Sequence, residues 1–121
     1  MREITTHRVN ENDTALRIFA VDEIEYRIEA NEPGRETSFP FQLNIDFQHG
    51  IFSEGVNGIT DAALLAIVED RLRAMKPIPR AYSLHQYAVT YIGMALAQLK
   101  RLSESIAARS VEGTAAGKDG E

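Results

Sequence analysis

Residues 84–106 read LHQYAVTYIGMALAQLKRLSESI and predict one long helix, because they contain no proline and only one glycine, Gly93. The apolar side chains recur at spacings of three and four in two rows. The first row is Leu84, Ala88, Tyr91, Ala95 and Leu102, and the second is Val89, Ile92, Leu96, Leu99 and Ile106. One small sheet and one neighbouring helix are not enough to cover both rows. Since a large uncovered apolar surface marks an interface, the sequence predicts a homo-oligomer.

A shorter helix is predicted before the long one. Its apolar residues also recur at helical spacing, at Leu64, Ile67, Val68, Leu72 and Met75. Pro77 is expected to end this helix, and Ser83 begins a capping box that predicts the start of the long helix. The two helices predict a hairpin over residues 60–109. The small and charged residues of 113–121 predict a flexible tail.

The first half of the chain predicts strands. Residues 24–30 alternate strictly between apolar and charged side chains, which is the period of a strand with one buried face. Residues 15–21 and 38–47 show similar alternation, and Pro40 in the second of these predicts an edge strand. About three antiparallel strands are therefore expected between residues 15 and 47, followed by a loop over 48–59. Together with the helical hairpin, this predicts an α+β fold.

Length and composition limit the classes of protein that fit. A chain of 121 residues with 44% hydrophobic residues predicts a single domain, residues 1–121, with its own core. The net charge of -5 argues against a general nucleic-acid-binding surface, and the absence of cysteine excludes disulfides and thiolate metal sites. No run of 18 apolar residues is present, so no membrane span is expected. These properties predict a soluble protein of the cytoplasm.

Signatures of catalysis are sparse. His7, His49 and His85 lie in three separate segments, so no metal site is predicted, and no cofactor is implied. The glycine-rich residues 55–58 lack the lysine of a phosphate-binding loop, and they are read as a connector that uses glycine for positive φ. The adjacent pair Glu69 and Asp70 is read as part of a solvated helix face.

Binding of a small anion is a better fit to the residues present. The helical half carries seven cations, at Arg71, Arg73, Lys76, Arg80, Lys100, Arg101 and Arg109. Arginine matches the geometry of phosphate oxygens, and tyrosine rings offer stacking surfaces for a base. Tyr82, Tyr87 and Tyr91 lie around the start of the long helix. The alternative is that these rings pack in a core or an interface, which is the favoured interpretation for Tyr87.

Several strings of this sequence resemble a known family. Residues 7–12 read HRVNEN, 47–50 read FQHG and 54–60 read EGVNGIT; 64–72 read LLAIVEDRL and 108–114 read ARSVEGT. In this order they resemble the Thoeris anti-defence phage proteins of the first type. The resemblance covers most of the chain, and the order of the strings is more specific than any one of them.

This resemblance implies a sponge rather than an enzyme. Family members bind cyclic ADP-ribose signals of bacterial Thoeris immunity, such as glycocyclic ADP-ribose, and hold them without cleavage in the host cytoplasm. Some members also bind cyclic di- or trinucleotides at a separate site. They combine a small β-sheet with a helical hairpin and assemble as dimers and hexamers. The implied partners are therefore a cyclic nucleotide signal and further copies of the chain, not a nucleic acid polymer or a membrane.

The resemblance also implies candidate ligand residues. Arg109 matches the arginine of the last string and is expected to contact phosphate, while Tyr82 falls where the family carries an aromatic residue that would stack on adenine. Arg71 is either a ligand arginine or part of an interface salt bridge, and Asn57 is either a ligand contact or structural. Tyr91 and Arg101 complete the candidate set.

The sequence departs from the family pattern at two places in this region. Family members often carry several arginines shortly before the last string, whereas Arg101 here is followed by LSESI, and Ser110 replaces a glycine. Both changes bear on phosphate affinity and on which ligand is preferred. Two other functions stay open: a structural or adaptor protein that uses the hairpin as an interaction surface, and a hydrolase of the same signals.

Overall fold

The computed structural model describes residues 1–30 and 42–118, with side chains described through residue 106. It contains a four-stranded antiparallel sheet and two α-helices, which confirms the predicted α+β fold. The chain divides into two compact units, Met1–Thr60 with the sheet and Asp61–Glu121 with the helices. No helix in the described part of the chain is both long enough and apolar enough to cross a membrane.

The sheet has one strand more than predicted. Its strands are β1 (Arg2–Ile4), β2 (Leu16–Ala20), β3 (Glu25–Ala30) and β4 (Gln42–Asp46), in the order β1-β2-β3-β4. Sequence alternation missed β1 because three residues are too few to show a period of two. In the described chain β4 lies at an edge of the sheet, as predicted, although Pro40 and the start of the expected third strand lie outside the described residues.

Alternation along each strand separates an apolar face of the sheet from a polar one. On the apolar face, one row crosses all four strands in register, and it consists of Ile4, Ile18, Ile28 and Leu43. A second row places Ala20 opposite Tyr26 and Tyr26 opposite Ile45. The Tyr26 ring meets the Phe47 ring edge to face, with centroids 5.5 Å apart. Such cross-strand pairs are the unit of sheet stabilisation, so these rows set the register.

The turn between β2 and β3 uses an aspartate instead of glycine. Asp22 Oδ1 accepts hydrogen bonds from the backbone N–H of Ile24 at 2.9 Å and of Glu25 at 2.7 Å. These two bonds hold the pKa of Asp22 below its ordinary value of 3.8. The side chain thus forms the tight connection predicted between the strands without any residue at positive φ.

The polar face of the sheet carries an ion cluster that holds β1 and the residues after it. Arg17 donates two hydrogen bonds of 3.0 Å to the Glu3 carboxylate, one to each oxygen, and Arg8 donates one of 3.2 Å. The Arg17 guanidinium also lies 5.0 Å from the centroid of the Phe19 ring. A fork-to-fork pair of this kind is more specific in geometry than a single contact, which helps to hold a strand of only three residues.

The Glu3 cluster predicts a pH-dependent stability. The hydrogen bond from Arg17, followed by the charges of Arg17 and Arg8, keeps the pKa of Glu3 below its ordinary value of 4.5. A lowered folded-state pKa contributes stability above the unfolded-state pKa, and this contribution is lost as pH falls through the folded-state pKa. We therefore expect Glu3→Gln to lower the melting temperature at pH 7, and this difference from wild type to shrink at pH values well below 4.5.

Thermal unfolding followed by circular dichroism at both pH values measures this effect. Glu11→Gln is the matched control, because Glu11 is an exposed carboxylate of the same segment. Equal losses for Glu3→Gln at neutral and acid pH would contradict the assigned role of the Glu3 charge.

The second unit is a helical hairpin, as predicted. Helix α1 spans Asp61–Ala74, one turn of 3-10 helix spans Pro79–Ala81, and helix α2 spans Tyr82–Lys118. Helix α2 continues directly from the 3-10 turn, so Ser83 lies inside its first turn and not at the predicted N-cap. It also extends past residue 109 into the predicted tail, because alanines and the absence of proline keep residues 110–118 compatible with helix.

One apolar row of α2 packs in this hairpin and the other does not. Val89 and Leu96 of the second row are buried, while Leu84 and Tyr91 of the first row are 70% and 65% exposed. The second row becomes exposed only toward its end, where Ile106 lies beyond the reach of the much shorter α1. The prediction of two apolar rows with a single covering surface therefore agrees with the exposure of these side chains.

Two residues of α2 bring the helices of the hairpin close together. His85 Nε2 donates a hydrogen bond of 2.6 Å to the backbone carbonyl of Leu72, in the last turn of α1. Carbonyls at a helix end lack partners within the helix, so His85 caps α1 and is half-buried, not the surface residue that its position suggests. Farther along, a Cβ on Gly93 would lie 3.1 Å from Glu69 Oε2, so glycine leaves room for that carboxylate.

Candidate functional site

The strings that carry the family resemblance include a closed loop in the first unit, residues 47–59. Phe47 and Ile59 form a parallel bridge at its two ends. The backbone N–H of Gln48 donates to the Ile59 carbonyl at 2.7 Å, and the N–H of Ile59 donates to the Asp46 carbonyl at 2.9 Å. A loop whose ends meet in this way is a compact unit with its own internal contacts.

The Gln48 side chain organises the interior of this loop. Its Oε1 accepts hydrogen bonds from the backbone N–H of Asn57 at 3.0 Å and of Gly58 at 3.2 Å. Its Nε2 donates to the carbonyls of Gly55 at 3.0 Å and Gly50 at 3.3 Å. One carboxamide thus makes four bonds to both sides of the loop. Sequence reasoning did not single out Gln48, since nothing in the composition of a single sequence marks a glutamine of this kind.

Asn57 makes a second cross-link in the same loop. Its Oδ1 accepts from the His49 backbone N–H at 2.8 Å, and its Nδ2 donates to the His49 carbonyl at 2.7 Å. The carboxamide therefore pairs with one residue as a neighbouring strand would. Of the two roles considered for Asn57, this arrangement supplies the structural one.

Glycine is required where the loop returns to the sheet. A Cβ on Gly58 would lie 2.5 Å from the Phe47 carbonyl carbon and 2.6 Å from the Asp46 carbonyl oxygen, distances that real Cβ atoms do not show. Gly55 has φ of 123°, a conformation that favours glycine. The interpretation of residues 55–58 as a glycine connector thus has a steric basis at both ends of the string.

The closed loop predicts a local effect of Asn57. We expect Asn57→Ala to speed amide hydrogen exchange at His49, because the His49 N–H loses its acceptor, and to cost about 1–3 kcal/mol for two lost hydrogen bonds at 0.5–1.5 kcal/mol each. Val56→Ala is the matched control, because Val56 is 76% exposed at the neighbouring position. The two quantities are measured by exchange mass spectrometry and urea unfolding. Unchanged exchange at His49 would remove the structural role of Asn57.

A group of exposed tyrosines marks the beginning of α2. Tyr82, Tyr87 and Tyr91 are 58%, 57% and 65% exposed. The rings of Tyr87 and Tyr91, one helical turn apart, are stacked with centroids 6.4 Å apart and planes inclined by 27°. The core or interface packing favoured for Tyr87 in the sequence is not made inside the described chain, where this ring is open to solvent.

The candidate arginines lie on both helices. Arg71 on α1 and Arg101 on α2 are exposed, and Arg109 belongs to the part of α2 whose side chains are not described. Neighbouring Arg73 forms an ion pair with Glu69 at 3.7 Å. Ion pairs exposed on a helix contribute little to stability, so this pair identifies no site by itself.

The length of α2 separates the two strongest candidates within one chain. Tyr82 and Arg109 are both in α2, and at about 1.5 Å per residue they are roughly 40 Å apart along the helix axis. Tyr91 and Arg101 are separated by about 15 Å on the same basis. A single small ligand contacted by both Tyr82 and Arg109 must therefore lie between two copies of the chain.

Other features of the described residues do not coincide with the predicted site. A surface depression of about 530 Å³ lies at the end of β1 and the β2–β3 turn, lined by Met1, Arg2, Ala20, Val21, Asp22, Glu23 and Tyr26. None of the predicted ligand residues lines it. Within residues 1–30 and 42–118, no three His, Asp or Glu side chains come together as metal ligands. His7 and His85 instead bond the backbone carbonyls of Leu16 and Leu72.

Comparison with known proteins adds no relative to this description. No protein-family profile matches the sequence, and no curated protein matches it.

Proposed function

We propose that this protein is a phage anti-defence sponge that binds cyclic ADP-ribose-type immune signals, in particular glycocyclic ADP-ribose, and sequesters them without cleavage. The proposal rests on the ordered strings that resemble the Thoeris anti-defence proteins. The observation that supports it most directly is the exposure of Tyr82 together with the stacked pair Tyr87 and Tyr91. An exposed aromatic ring is a stacking surface for adenine, worth about 1–3 kcal/mol per base.

Arginines are assigned to the two phosphates of the ligand. The planar guanidinium donates paired hydrogen bonds to phosphate oxygens, so Arg109, Arg71 and Arg101 are the candidate contacts. The separation of Tyr82 from Arg109 along α2 assigns these contacts to different copies of an oligomer, a dimer or a hexamer. In such an assembly a few arginines gather around one small dianion even though the chain carries a net charge of -5.

Sequestration requires affinity and burial, not a nucleophile or a metal. Binding of this kind lowers the concentration of free signal in the host cytoplasm, where the protein would have to match the signal in amount. Cyclic di- or trinucleotides at a separate site are an extension of the same proposal, which the resemblance suggests for some members of the family.

Isothermal titration with glycocyclic ADP-ribose, with cyclic ADP-ribose as the comparator, tests the proposal. Binding is expected for a cyclic ADP-ribose isomer, followed by recovery of intact ligand after the protein is denatured. Recovery of hydrolysis products would instead identify a hydrolase. The absence of both binding heat and thermal shift with any cyclic nucleotide signal would defeat the proposal.

Replacement of Arg109 tests the phosphate contact. We expect Arg109→Ala to cost about 1.5–3 kcal/mol of binding free energy, a roughly 10- to 100-fold rise in Kd, because a charged hydrogen bond to phosphate is lost. Arg73→Ala is the matched control, since Arg73 is an exposed arginine already paired with Glu69. Both variants are compared with wild type by titration. Wild-type affinity of Arg109→Ala would remove Arg109 from the site.

A structural or adaptor protein is the second candidate function. It is favoured by the exposed apolar side chains of α1 and α2, which suit protein contacts equally well. This function predicts association without any effect of cyclic nucleotides on melting temperature, so the same titration separates the two candidates.

A further inference from the structure

Helix α2 has an exposed apolar surface on the side that does not face α1. We call it the open α2 face, and it consists of Leu84, Tyr87, Tyr91, Met94 and Leu102, each between 54% and 70% exposed. At about 100° per residue these five positions fall within an arc of roughly 80°, and they extend over about 27 Å of helix. Buried Val89 and Leu96 lie on a different side of the same helix. The open α2 face is therefore a continuous surface, separate from the core of the hairpin.

The chemistry of this face narrows the kind of partner. Residues 82–99 contain no aspartate, glutamate, lysine or arginine. Contact with a nucleic acid or with an anionic lipid surface draws on basic side chains, which this stretch does not supply. An apolar surface of this size is instead suited to another apolar protein surface.

The order of large and small side chains along the face identifies that surface. The bulky residues Leu84, Tyr87 and Tyr91 lie in its first half, and the small Ala95 lies in its second half, before Leu102. We propose that the open α2 face packs antiparallel against the same face of a second copy, with Leu84 opposite Leu102 and Tyr91 opposite Ala95. Each ring then fills the space beside a small residue, whereas parallel packing would place Tyr91 against Tyr91.

The charges that follow this stretch favour the same orientation. In the antiparallel register, Glu104 of one copy lies beside residue 82 of the other, at the N-terminus of α2. The positive end of the helix dipole is located there, and a carboxylate near it is stabilising. In a parallel pair, Arg101 would lie beside Arg101 and Glu104 beside Glu104, so like charges would repel. An antiparallel pair also has the twofold symmetry that is usual for dimers.

This interface has a consequence for the proposed ligand site, and that consequence rests on the proposed function. In the antiparallel register Arg109 of one copy is only about 7 Å along the axis from Tyr82 of the other, at about 1.5 Å per residue. Within one chain the same two residues are roughly 40 Å apart. The interface itself is independent of the ligand, so it is tested without nucleotide.

Mass measurement tests the interface. We expect light scattering at micromolar concentration to give twice the chain mass, or a higher even multiple, and Met94→Lys to reduce that mass to half or less. Ala97→Lys is the matched control, because Ala97 is exposed one turn away but outside the open α2 face. Circular dichroism establishes that both variants are folded. A wild-type monomer, or a folded Met94→Lys with unchanged mass, would overturn the proposal.

Cysteine cross-linking tests the orientation and does not depend on the folding of a charged variant. The chain has no cysteine, so Leu84→Cys and Leu102→Cys introduce the only thiols. These positions are about 27 Å apart in one helix, too far for an internal disulfide, which needs Cα atoms within about 7 Å. Mild oxidation is expected to join copies of the double variant into covalent dimers and to leave each single variant uncross-linked. Cross-linking of either single variant, or none of the double variant, would reject the antiparallel pair.

Discussion

The length of α2 relative to α1 is the constraint on which the rest of the helical unit depends. A helix of 37 residues packed on one of 14 has a buried side only along part of its length, and its other apolar side stays in solvent. Short isolated helices are marginal in water, so a long helix depends on packing of its apolar surfaces. Exposed Leu84 and Tyr91 therefore indicate an incomplete core, and a second copy of the chain is the simplest way to complete it.

Order in the sheet unit comes from side chains that bond the backbone more than from a deep core. Ala20 is the one side chain of this unit that is buried, among the residues described. The Glu3 cluster holds the shortest strand, Asp22 closes the β2–β3 turn, and Gln48 with Asn57 closes the loop after β4. Hydrogen bonds of this kind contribute modestly to stability but define geometry closely. The family-like strings around Gln48 and Asn57 thus have a clear structural use, while ligand contacts remain assigned to the helices by proposal.

Prediction from the sequence succeeded where a pattern repeats and failed where one residue decides the structure. The alternation of residues 24–30 identified β3, and helical spacing identified both helices. Strand β1 was missed because three residues show no period, and the N-cap was misplaced because a 3-10 turn at Pro79–Ala81 leads directly into α2. Gln48 and His85 could not be recognised as structural residues, because their bonds depend on backbone groups that only the folded chain brings close.

The sequence by itself determined that the protein is α+β and that its long helix carries two apolar rows, since both follow from the spacing of side chains along the chain. Tertiary structure decided which row is covered. His85 bonds the carbonyl of Leu72 and Gly93 leaves space for Glu69, so α1 lies on the side of Val89 and Leu96. Spacing places side chains around a helix axis but does not rank two similar rows, and that choice depends on steric fit and hydrogen bonds with the neighbouring helix.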